Sequence, residues 1–464
     1  MLAVGVIAFA LTHRRLRPFE VNLLGLAFAA HALGAFAQVR VTQDVYGRGD
    51  MSAYHYTGSL LAALIRYDPE RFLPEVLRLL VHQEVDLPFR VLGVGTPTGS
   101  MHAISGLIAL PLADSLHAMC MVLSLAAFFG QRAIYLAFRE LYPDELHPKL
   151  LIATTLVPSA VYWTSGLLKE TVAVAGFGLC IFGIHRALVG RGRSAIAPLL
   201  VGLPTVALLK PYILFGLVLA TSVWWYWRRV RASGGSVRPF ALVLGGTAAV
   251  ALLILLGDVF PRYGLAEIAE ETANLQVVGA RIRGGSGYQL VAPETRGPLA
   301  QLAYAPIALI TALFRPFLFE ARSATAVVNA LETTILTLLL ARAVWVRGLT
   351  TIRSRTLGAP MLVFCVAFVA LFGVAVGLAS TNLGSLSRYR APLVPLYAVL
   401  VVIWGAPPMA ARARAPAADG SEARPAPASR RPLRGRPTRD PPVRGRRGAR
   451  SVRPRAASDA AGGS

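Results

Sequence analysis

Charged side chains interrupt the apolar segments of this chain at places where they could do chemistry. The run at 157–182 carries the adjacent pair Lys169 and Glu170, and "ALLKP" places Lys210 at the end of another apolar run. The chain contains 44 Arg but only three Lys, so two lysines in such positions indicate a specific use. An ammonium group with movable donors suits a phosphate or acid–base chemistry, and a carboxylate can act as a base.

Two later segments combine arginine with carboxylate or aromatic residues. They are "FRPFLFEAR", with Arg315 and Glu320, and "NLGSLSRYRAPLVP", with Arg388 and Arg390. A charge at the centre of a bilayer costs about 2.5 to 3.5 kcal/mol on insertion scales, and such charges usually pair or line a cavity. We therefore predict one shared polar cavity. The alternative is that each side chain separately extends its charge to the lipid headgroups.

The polar segment after the first long apolar run supplies further candidates. It contains Asp44 and Asp50, followed closely by Tyr54 and His55. Asp50 could serve as a base, or it could simply cap the helix that follows it. The sequence shows no His or Cys cluster with metal-ligand spacing, so no metal ligands are predicted.

Membrane helices are the elements expected to position these residues. The chain is 55% hydrophobic and 15% charged, with a mean hydropathy of +0.55, which is too apolar for a soluble core. Apolar windows of roughly 17 to 25 residues recur, each long enough to cross a hydrocarbon core of ~30 Å. We predict an all-α, polytopic integral membrane bundle of about ten transmembrane helices. The windows are 19–39, 103–131, 150–168, 171–189, 195–209, 211–227, 240–257, 324–341, 360–379 and 392–408, with a doubtful one at 299–314.

The distribution of basic residues predicts which loops share a side of the membrane. Two long loops, the first outer loop (40–100) and the second outer loop (258–298), carry more acidic than basic residues and are predicted to be extracytoplasmic. The alternation holds if residues 299–322 re-enter the outer leaflet instead of crossing. The segments rich in Arg and Lys, predicted to be cytoplasmic, are 13–17, 132–149, 186–193, 228–238 and 342–355.

Within the first outer loop, two stretches have helical amphipathic periodicity. Residues 52–66 and 69–82 are predicted to form helices that rest on the membrane surface. By the same census, Lys169, Lys210 and Arg388 lie at the outer ends of membrane segments. A single outward-facing cavity could therefore collect them.

The C-terminal residues differ sharply from the rest of the chain. Residues 411–464 contain 14 Arg against four acidic residues and account for much of the net charge of +23. A segment this rich in Pro, Ala and Gly cannot bury a core. We predict a transmembrane domain at 1–408 and a disordered, basic, cytoplasmic tail at 409–464 that contacts anionic lipid. RNA or a protein partner is the alternative for the tail, and no specific nucleic acid is expected.

Four motifs together resemble bacterial polytopic proteins of cell-surface polysaccharide synthesis, the GT-C-type glycosyltransferases and the Wzy-like or EpsG-like polymerases. They are "GDMSAYHYTG", "PSAVYWTSGLLKE", "RPFLFEA" followed by "ALE", and "NLGSLSRYRAPLVP". The resemblance covers about residues 20–405. It implies a GT-C-like bundle in the bacterial inner (plasma) membrane. It also implies a cell-envelope enzyme that transfers sugar from polyprenyl phosphate or diphosphate to a glycan acceptor at the extracytoplasmic face.

The resemblance also implies roles for the candidate residues. An acidic residue of the first outer loop would activate the acceptor hydroxyl; Asp50 matches that position, Asp44 matches it less well, and Glu170 is the third candidate catalytic carboxylate. A divalent metal is allowed but not required. Cations would stabilise the departing phosphate. The candidate substrate-binding residues are Tyr54, His55, Lys169, Lys210, Arg315, Glu320, Arg388 and Arg390.

Two other classes of protein would use the same features differently. A transporter or flippase of a lipid-linked or anionic substrate would place the charges along a translocation path. A scaffold without enzymatic activity would depend on its basic tail. These classes make opposite predictions about which residues are needed.

Overall fold

The computed structural model describes residues 17–47, 49–234, 265–281, 287–291, 295 and 297–408, and within these ranges the chain is all-helical. The predicted membrane window 240–257 and the predicted tail lie outside the described residues. The helices are α1 (Pro18–Val41), α2 (Asp50–Tyr67), α3 (Pro69–Leu80), α4 (Pro97–Ala109), α5 (Leu116–Arg139), α6 (His147–Thr155), α7 (Pro158–Trp163), α8 (Lys169–Leu188), α9 (Gly192–Leu209), α10 (Pro211–Ala232), α11 (Leu265–Arg281), α12 (Pro298–Leu302), α13 (Ala305–Phe314), α14 (Ala324–Gly358), α15 (Pro360–Ala379), α16 (Leu383–Tyr389) and α17 (Leu393–Gly405).

Proline and short polar side chains set where many of these helices begin. A proline at the first helical position is favoured because its fixed φ suits the helix and its missing N–H would be unpaired there anyway. Other helices begin after a side-chain cap: Ser115 accepts from the backbone N–H of Ala118 before α5, and Asn382 accepts from Ser385 before α16. The helices that begin at proline are α1, α3, α4, α7, α10, α12 and α15.

Six of the described helices are long and apolar enough to cross a membrane, or seven spans if α16 and α17 form one span bent by 74°. The chain therefore has the helices of a multi-pass membrane protein. The count of about ten stays a prediction. Window 150–168 holds the two short helices α6 and α7, α10 at window 211–227 is not among the candidate spans, and window 240–257 is not described. The six spans are Pro18–Val45, Leu116–Arg139, Lys169–Leu188, Gly192–Leu209, Ala324–Gly358 and Pro360–Ala379.

Residues 299–322 contain no helix long enough to span on its own. Helix α13 is apolar but has ten residues, and at 1.5 Å per residue it covers about 15 Å of a core of ~30 Å. The preceding helix α12 has five residues. These lengths favour the predicted re-entrant arrangement over a single crossing.

Helices α5, α8 and α9 approach each other closely through glycine. A Cβ added at Gly178 of α8 would lie 1.9 Å from the carbonyl oxygen of Gly130 on α5, and one at Gly202 of α9 would lie 2.7 Å from the carbonyl oxygen of Gly176. Small residues permit such backbone approach between membrane helices. Helix α8 is thereby held between two neighbours, and its first turn carries Lys169 and Glu170.

Helices α2 and α3 occupy the two stretches predicted to be amphipathic. The apolar face of α3 is buried: Phe72, Val76 and Leu79 pack with Leu61 and Ile65 of α2. This face therefore contacts protein. That the two helices rest on the membrane surface stays a prediction. The hydrophobic periodicity correctly predicted two helices, but it could not show whether their apolar faces contact protein or lipid.

Two of the predicted cytoplasmic segments contact each other. Glu140 forms ion pairs with Arg186 and Arg191, which joins the segments at 132–149 and 186–193. Arg186 lies in the last turn of α8, whereas the candidate residues Lys169 and Glu170 begin that helix. The basic segments and the candidate residues are thus at opposite ends of α8.

Both predicted outer loops contact the end of the bundle that carries the candidate residues. His82 of the first outer loop contacts the carbonyl oxygen of Leu208, near the end of α9, at 3.1 Å. In the second outer loop, the backbone N–H of Tyr288 donates to Thr381 between α15 and α16 at 2.8 Å. Two loops distant in sequence therefore border the same region.

Candidate functional site

Four charged residues from separate elements meet at this end of the bundle, and we call them the charge network. Glu170 lies in the first turn of α8, and Lys210 lies between α9 and α10. Arg388 belongs to α16, and Asp50 is the first residue of α2. Asp50, Glu170 and Lys210 lie at helix ends, and Arg388 lies in a short helix. At such places the backbone leaves the bundle, so side chains from separate elements can converge.

Glu170 is the centre of the charge network. It is 1% exposed, and its carboxylate accepts from Lys210 Nζ at 2.5 Å and from Arg388 Nη2 at 2.9 Å. Arg388 Nη2 also lies 2.7 Å from Asp50 Oδ2. The arginine therefore bridges the two carboxylates. A buried carboxylate needs such partners, because an unpaired charge in the protein interior is strongly unfavourable.

Asp50 is the accessible carboxylate of the charge network. Its side chain is 48% exposed, in contrast to that of Glu170. Gly49, not Asp50, occupies the N-cap position of α2, so the capping role considered for Asp50 is not observed. The carboxylate is instead directed to Arg388. It can accept a proton from a group arriving from solvent.

Two aromatic rings lie against Lys210 of the charge network, and a third aromatic residue lies beside Asp50. Lys210 Nζ lies 5.1 Å from the ring centroid of Tyr389 and 5.5 Å from that of Tyr212, which are cation–π distances. Tyr54 is buried beside Asp50. Burial, and then the negative charge of Asp50, raise the pKa of the Tyr54 hydroxyl, so this phenol stays neutral and can donate a hydrogen bond.

Lys169 lies next to the charge network without joining it. Its Nζ donates to Thr98 Oγ1 of α4 at 3.2 Å, and it forms no ion pair with any carboxylate in the described part of the chain. Lys169, Lys210 and Arg388 are three cations, whereas Asp50 and Glu170 are two carboxylates. Among the described residues, one positive charge at the site is therefore without a carboxylate partner.

The remaining predicted cations form a second group. Arg315 pairs with Glu320, and its guanidinium lies 4.3 Å from the ring centroid of Tyr288. Arg390 is 1% exposed; its Nη1 donates to the carbonyl oxygen of Arg315 at 2.7 Å, and its Nη2 lies 3.8 Å from Glu332 Oε1. Arg315, Glu320 and Arg390 are thus engaged with one another and with Glu332, apart from the ion pairs of the charge network.

Glu332 is a polar residue of this second group that was not among the candidate site residues. It accepts from the hydroxyl and the backbone N–H of Ser159, each at 2.6 Å. Its position within the apolar run "NALETTILTLLL" was the available signal, since a carboxylate at membrane depth usually has a partner. Its contacts are those of a residue that holds α7 against α14.

Two further predicted site residues, Asp44 and His55, belong to neither the charge network nor the second group. Asp44 is exposed in the π-helical turn Thr42–Tyr46 and makes no ion pair with the residues that are described. His55 contacts the backbone carbonyl oxygen of Asp114 at 2.7 Å. Asp50 is therefore better placed than Asp44 for the role of a base.

The described residues of the charge network are not arranged to hold a divalent metal. Both carboxylates of the charge network are already bound by Arg388, and Glu170 is bound by Lys210 as well. Across the described residues, no group of three or more His, Cys, Asp or Glu side chains is placed to hold a metal ion. Metal ligation at Asp50 and Glu170 would require these ion pairs to break.

Comparison of the chain with protein-family models, with curated proteins and with solved structures gave no match. The arrangement of the site itself is therefore the basis for its interpretation. The site offers an accessible carboxylate, two cations held by a buried carboxylate, and one uncompensated cation.

Proposed function

We propose that this chain is a membrane glycosyltransferase or polysaccharide polymerase that uses a sugar carried on polyprenyl phosphate or diphosphate. The reaction would take place at the extracytoplasmic face of the bacterial inner membrane. The tail would then be cytoplasmic. The observation that carries the proposal is the convergence of Asp50, Glu170, Lys210 and Arg388 from four elements into one ion-paired network at helix ends.

The location of the charge network suits a substrate with a lipid anchor. Lys210 directly follows one candidate membrane span, and Glu170 lies in the first turn of another. A phosphate attached to a membrane-embedded chain lies at the depth of such helix ends. A soluble anion would not need a site at this depth.

Asp50 is assigned the role of the base. In the proposed reaction the acceptor hydroxyl oxygen attacks the anomeric carbon, and the bond from that carbon to the phosphate oxygen breaks. Asp50 takes the hydroxyl proton, and the lipid phosphate leaves with the bonding electrons. Arg388 and Lys210 stabilise the negative charge that develops on the leaving phosphate.

Glu170 is assigned a positioning role, in place of the catalytic one suggested by the sequence. A carboxylate that is 1% exposed and bound by two cations cannot reach an acceptor hydroxyl without breaking both ion pairs. It holds Lys210 and Arg388 in place instead. Preorganised charges of this kind are effective because they need no rearrangement during the reaction.

The clustering of these charges also supports an enzyme over a transporter. The four residues of the charge network lie at one end of the bundle, whereas a translocation path needs polar groups across the membrane. A transporter would move its substrate without changing the covalent structure of the glycan. This difference separates the two functions experimentally.

The test is to replace Asp50→Asn in a strain that depends on this chain. We expect loss of the glycan product by roughly 100-fold or more, because general-base catalysis contributes factors of that size, together with accumulation of lipid-linked saccharides detected by mass spectrometry. Asp86→Asn is the matched control, since Asp86 lies in the same loop and is 90% exposed. Normal glycan in the correctly inserted Asp50→Asn variant would exclude Asp50 as the base, and an unchanged glycan structure in the deletion strain would exclude a transferase.

A further inference from the structure

Three polar side chains beside the charge network have no part in the proposed reaction. Thr98 and His102 lie four residues apart on α4, so they share one face of that helix. Lys169 Nζ donates to Thr98 Oγ1 at 3.2 Å. The ring centroid of His102 lies 5.0 Å from that of Tyr54, which follows Asp50 by one helical turn. The three residues therefore adjoin the proposed base through Tyr54.

His102 is a buried imidazole without a hydrogen-bond partner. It is 1% exposed, and neither ring nitrogen is hydrogen-bonded to any residue that the structure describes. Burying a polar group without a partner is unfavourable, and such groups in folded proteins call for an explanation. A ligand group that bonds the ring would provide one.

The protonation of His102 limits what that ligand group can be. Burial, with a further contribution from the positive charge of Lys169, lowers the pKa of His102 to about 4. At neutral pH the ring is uncharged and presents one N–H donor and one nitrogen acceptor. A hydroxyl group is both an acceptor and a donor, so it complements a neutral imidazole. A phosphate dianion would leave the acceptor nitrogen unsatisfied.

Lys169 and Thr98, in contrast to His102, offer hydrogen-bond donors and a positive charge. Lys169 uses one of its three ammonium protons for Thr98 and has no ion pair within the described ranges. Thr98 Oγ1 accepts that hydrogen bond, so its own proton is available to another acceptor. Two donors and one uncompensated positive charge suit an oxyanion, and charge-assisted bonds to phosphate oxygens are strong ones.

We propose that Lys169, Thr98 and His102 form a subsite for a glycosyl phosphate. The phosphate oxygens accept from Lys169 and Thr98, and a sugar hydroxyl exchanges hydrogen bonds with His102. The subsite rests on the proposed function, because it places the sugar donor of that reaction. It assigns to α4 the recognition of the sugar, which the charge network by itself does not provide.

The experiment measures binding, not turnover, with the full chain in detergent micelles. The probes are decyl phosphate and a set of decyl glycosyl phosphates carrying glucose, galactose or mannose. Dissociation constants come from the ligand dependence of the unfolding temperature. Lys169→Met is expected to weaken binding of decyl phosphate by about 10-fold or more, and Thr98→Val by about 3-fold, given the usual strength of charged and neutral hydrogen bonds. Lys149→Met, at an exposed lysine of α6, is the matched control.

His102→Leu distinguishes the two halves of the subsite. It is expected to leave the dissociation constant for decyl phosphate within about 2-fold of the unsubstituted chain and to abolish the tighter binding of the best glycosyl phosphate. Lys169→Gln repeats the first test if Lys169→Met does not elute as a monodisperse protein. Binding by correctly folded Lys169 variants equal to that of Lys149→Met would overturn the proposal. An equal effect of His102→Leu on both probes would also overturn it.

Failure of the subsite and failure of the proposed function give different results. If the variants lose binding as expected but the unsubstituted chain transfers no sugar, the subsite stands and the glycosyltransferase does not. If the chain transfers sugar and the Lys169 and His102 variants bind both probes normally, the transferase stands and the subsite is rejected.

Discussion

At the scale of single residues, Glu170 explains how two cations can lie so close together in this protein. Its carboxylate neutralises Lys210 and Arg388, and its place in the first turn of α8 adds the favourable field of the helix N-terminus. Without it, the two cations would repel one another in a poorly solvated region. We therefore expect the assembly of the site to depend on Glu170.

Glu170→Gln tests this positioning role, because it keeps the shape of the side chain and removes its charge. We expect a loss of stability of about 3–5 kcal/mol, the usual effect of breaking a buried ion pair on one side, since Lys210 and Arg388 then lose their main partner. The measurement is thermal unfolding in detergent, with Glu145→Gln at an exposed position as control.

A second substitution separates an ion-pair effect from a simple packing effect. Adding Lys210→Met to Glu170→Gln removes one of the unpaired cations. The double variant should therefore lose less unfolding free energy than the two single variants lose in sum. Strictly additive losses would contradict the role of Glu170 in holding these cations together. Sugar transfer is not expected in the double variant, because Lys210 contacts the proposed leaving group.

At the scale of elements, the contact between α5 and α8 determines where the charge network lies. Gly178 and Gly130 face each other with no room for a side chain. The glycines were visible in the sequence, but their pairing was not, because glycine is frequent in membrane helices for several reasons. The contact fixes α8, whose first turn supplies both Lys169 and Glu170 to the site.

Gly178→Ala should therefore reduce stability strongly, although it adds only one methyl group. The new Cβ would lie 1.9 Å from a backbone oxygen that cannot rotate away, and α5 and α8 would have to separate. We expect a loss of at least about 1–3 kcal/mol, the range for overpacking, together with weaker binding of decyl phosphate. Gly25→Ala on α1 is the control, since a Cβ there meets nothing within 4 Å.

The control variant has its own expected result. Alanine is favoured over glycine in a helix by roughly 0.5–1 kcal/mol, so Gly25→Ala should leave stability unchanged or slightly raised. Equal unfolding temperatures for Gly178→Ala and Gly25→Ala would show that α5 and α8 do not approach this closely. The comparison uses the same chemical change in two membrane helices.

At the scale of the whole molecule, hydropathy predicted the membrane helices well where proline or glycine marks their ends. The window 360–379 coincides with α15, and 171–189 differs from α8 by two residues at its start. The window 392–408 corresponds to α17 (Leu393–Gly405), and the short helix α16, bent by 74° from α17, precedes the window. Hydropathy did not predict α16, because Ser385, Ser387 and Arg388 interrupt the apolar run there.

The main residues of the candidate site were predictable from the sequence, but their division into the charge network and the second group was not. The expectation that Asp50, Lys169, Glu170, Lys210 and Arg388 meet at helix ends came from charge placement, and the structure brings these residues together. Whether they are catalytic stays a prediction. Charge placement could not show that Arg390, two residues after Arg388, is directed to Glu332 instead, because this depends on the backbone turn after α16.

The basic tail provides the last prediction, which concerns the chain as a whole. Every residue of the charge network and of the glycosyl phosphate subsite lies between positions 50 and 388. Removing residues 411–464 should therefore leave membrane insertion and glycan formation within about 2-fold of the complete chain, because the tail carries no residue of the proposed chemistry. The measurement is glycan yield per inserted protein in the dependent strain.

Charge and length of the tail can be separated by a second variant, in which the 14 Arg of residues 411–464 are replaced by Gln. If the tail acts through anionic lipid, both variants should lose salt-sensitive binding of the chain to anionic vesicles, since such attraction is screened within about 8 Å at physiological ionic strength. Both should keep glycan formation. Loss of glycan formation in the truncated but inserted chain would favour the scaffold. A scaffold that works through its tail loses its function when the tail is removed, whereas an enzyme that depends on Asp50 and Arg388 keeps its activity.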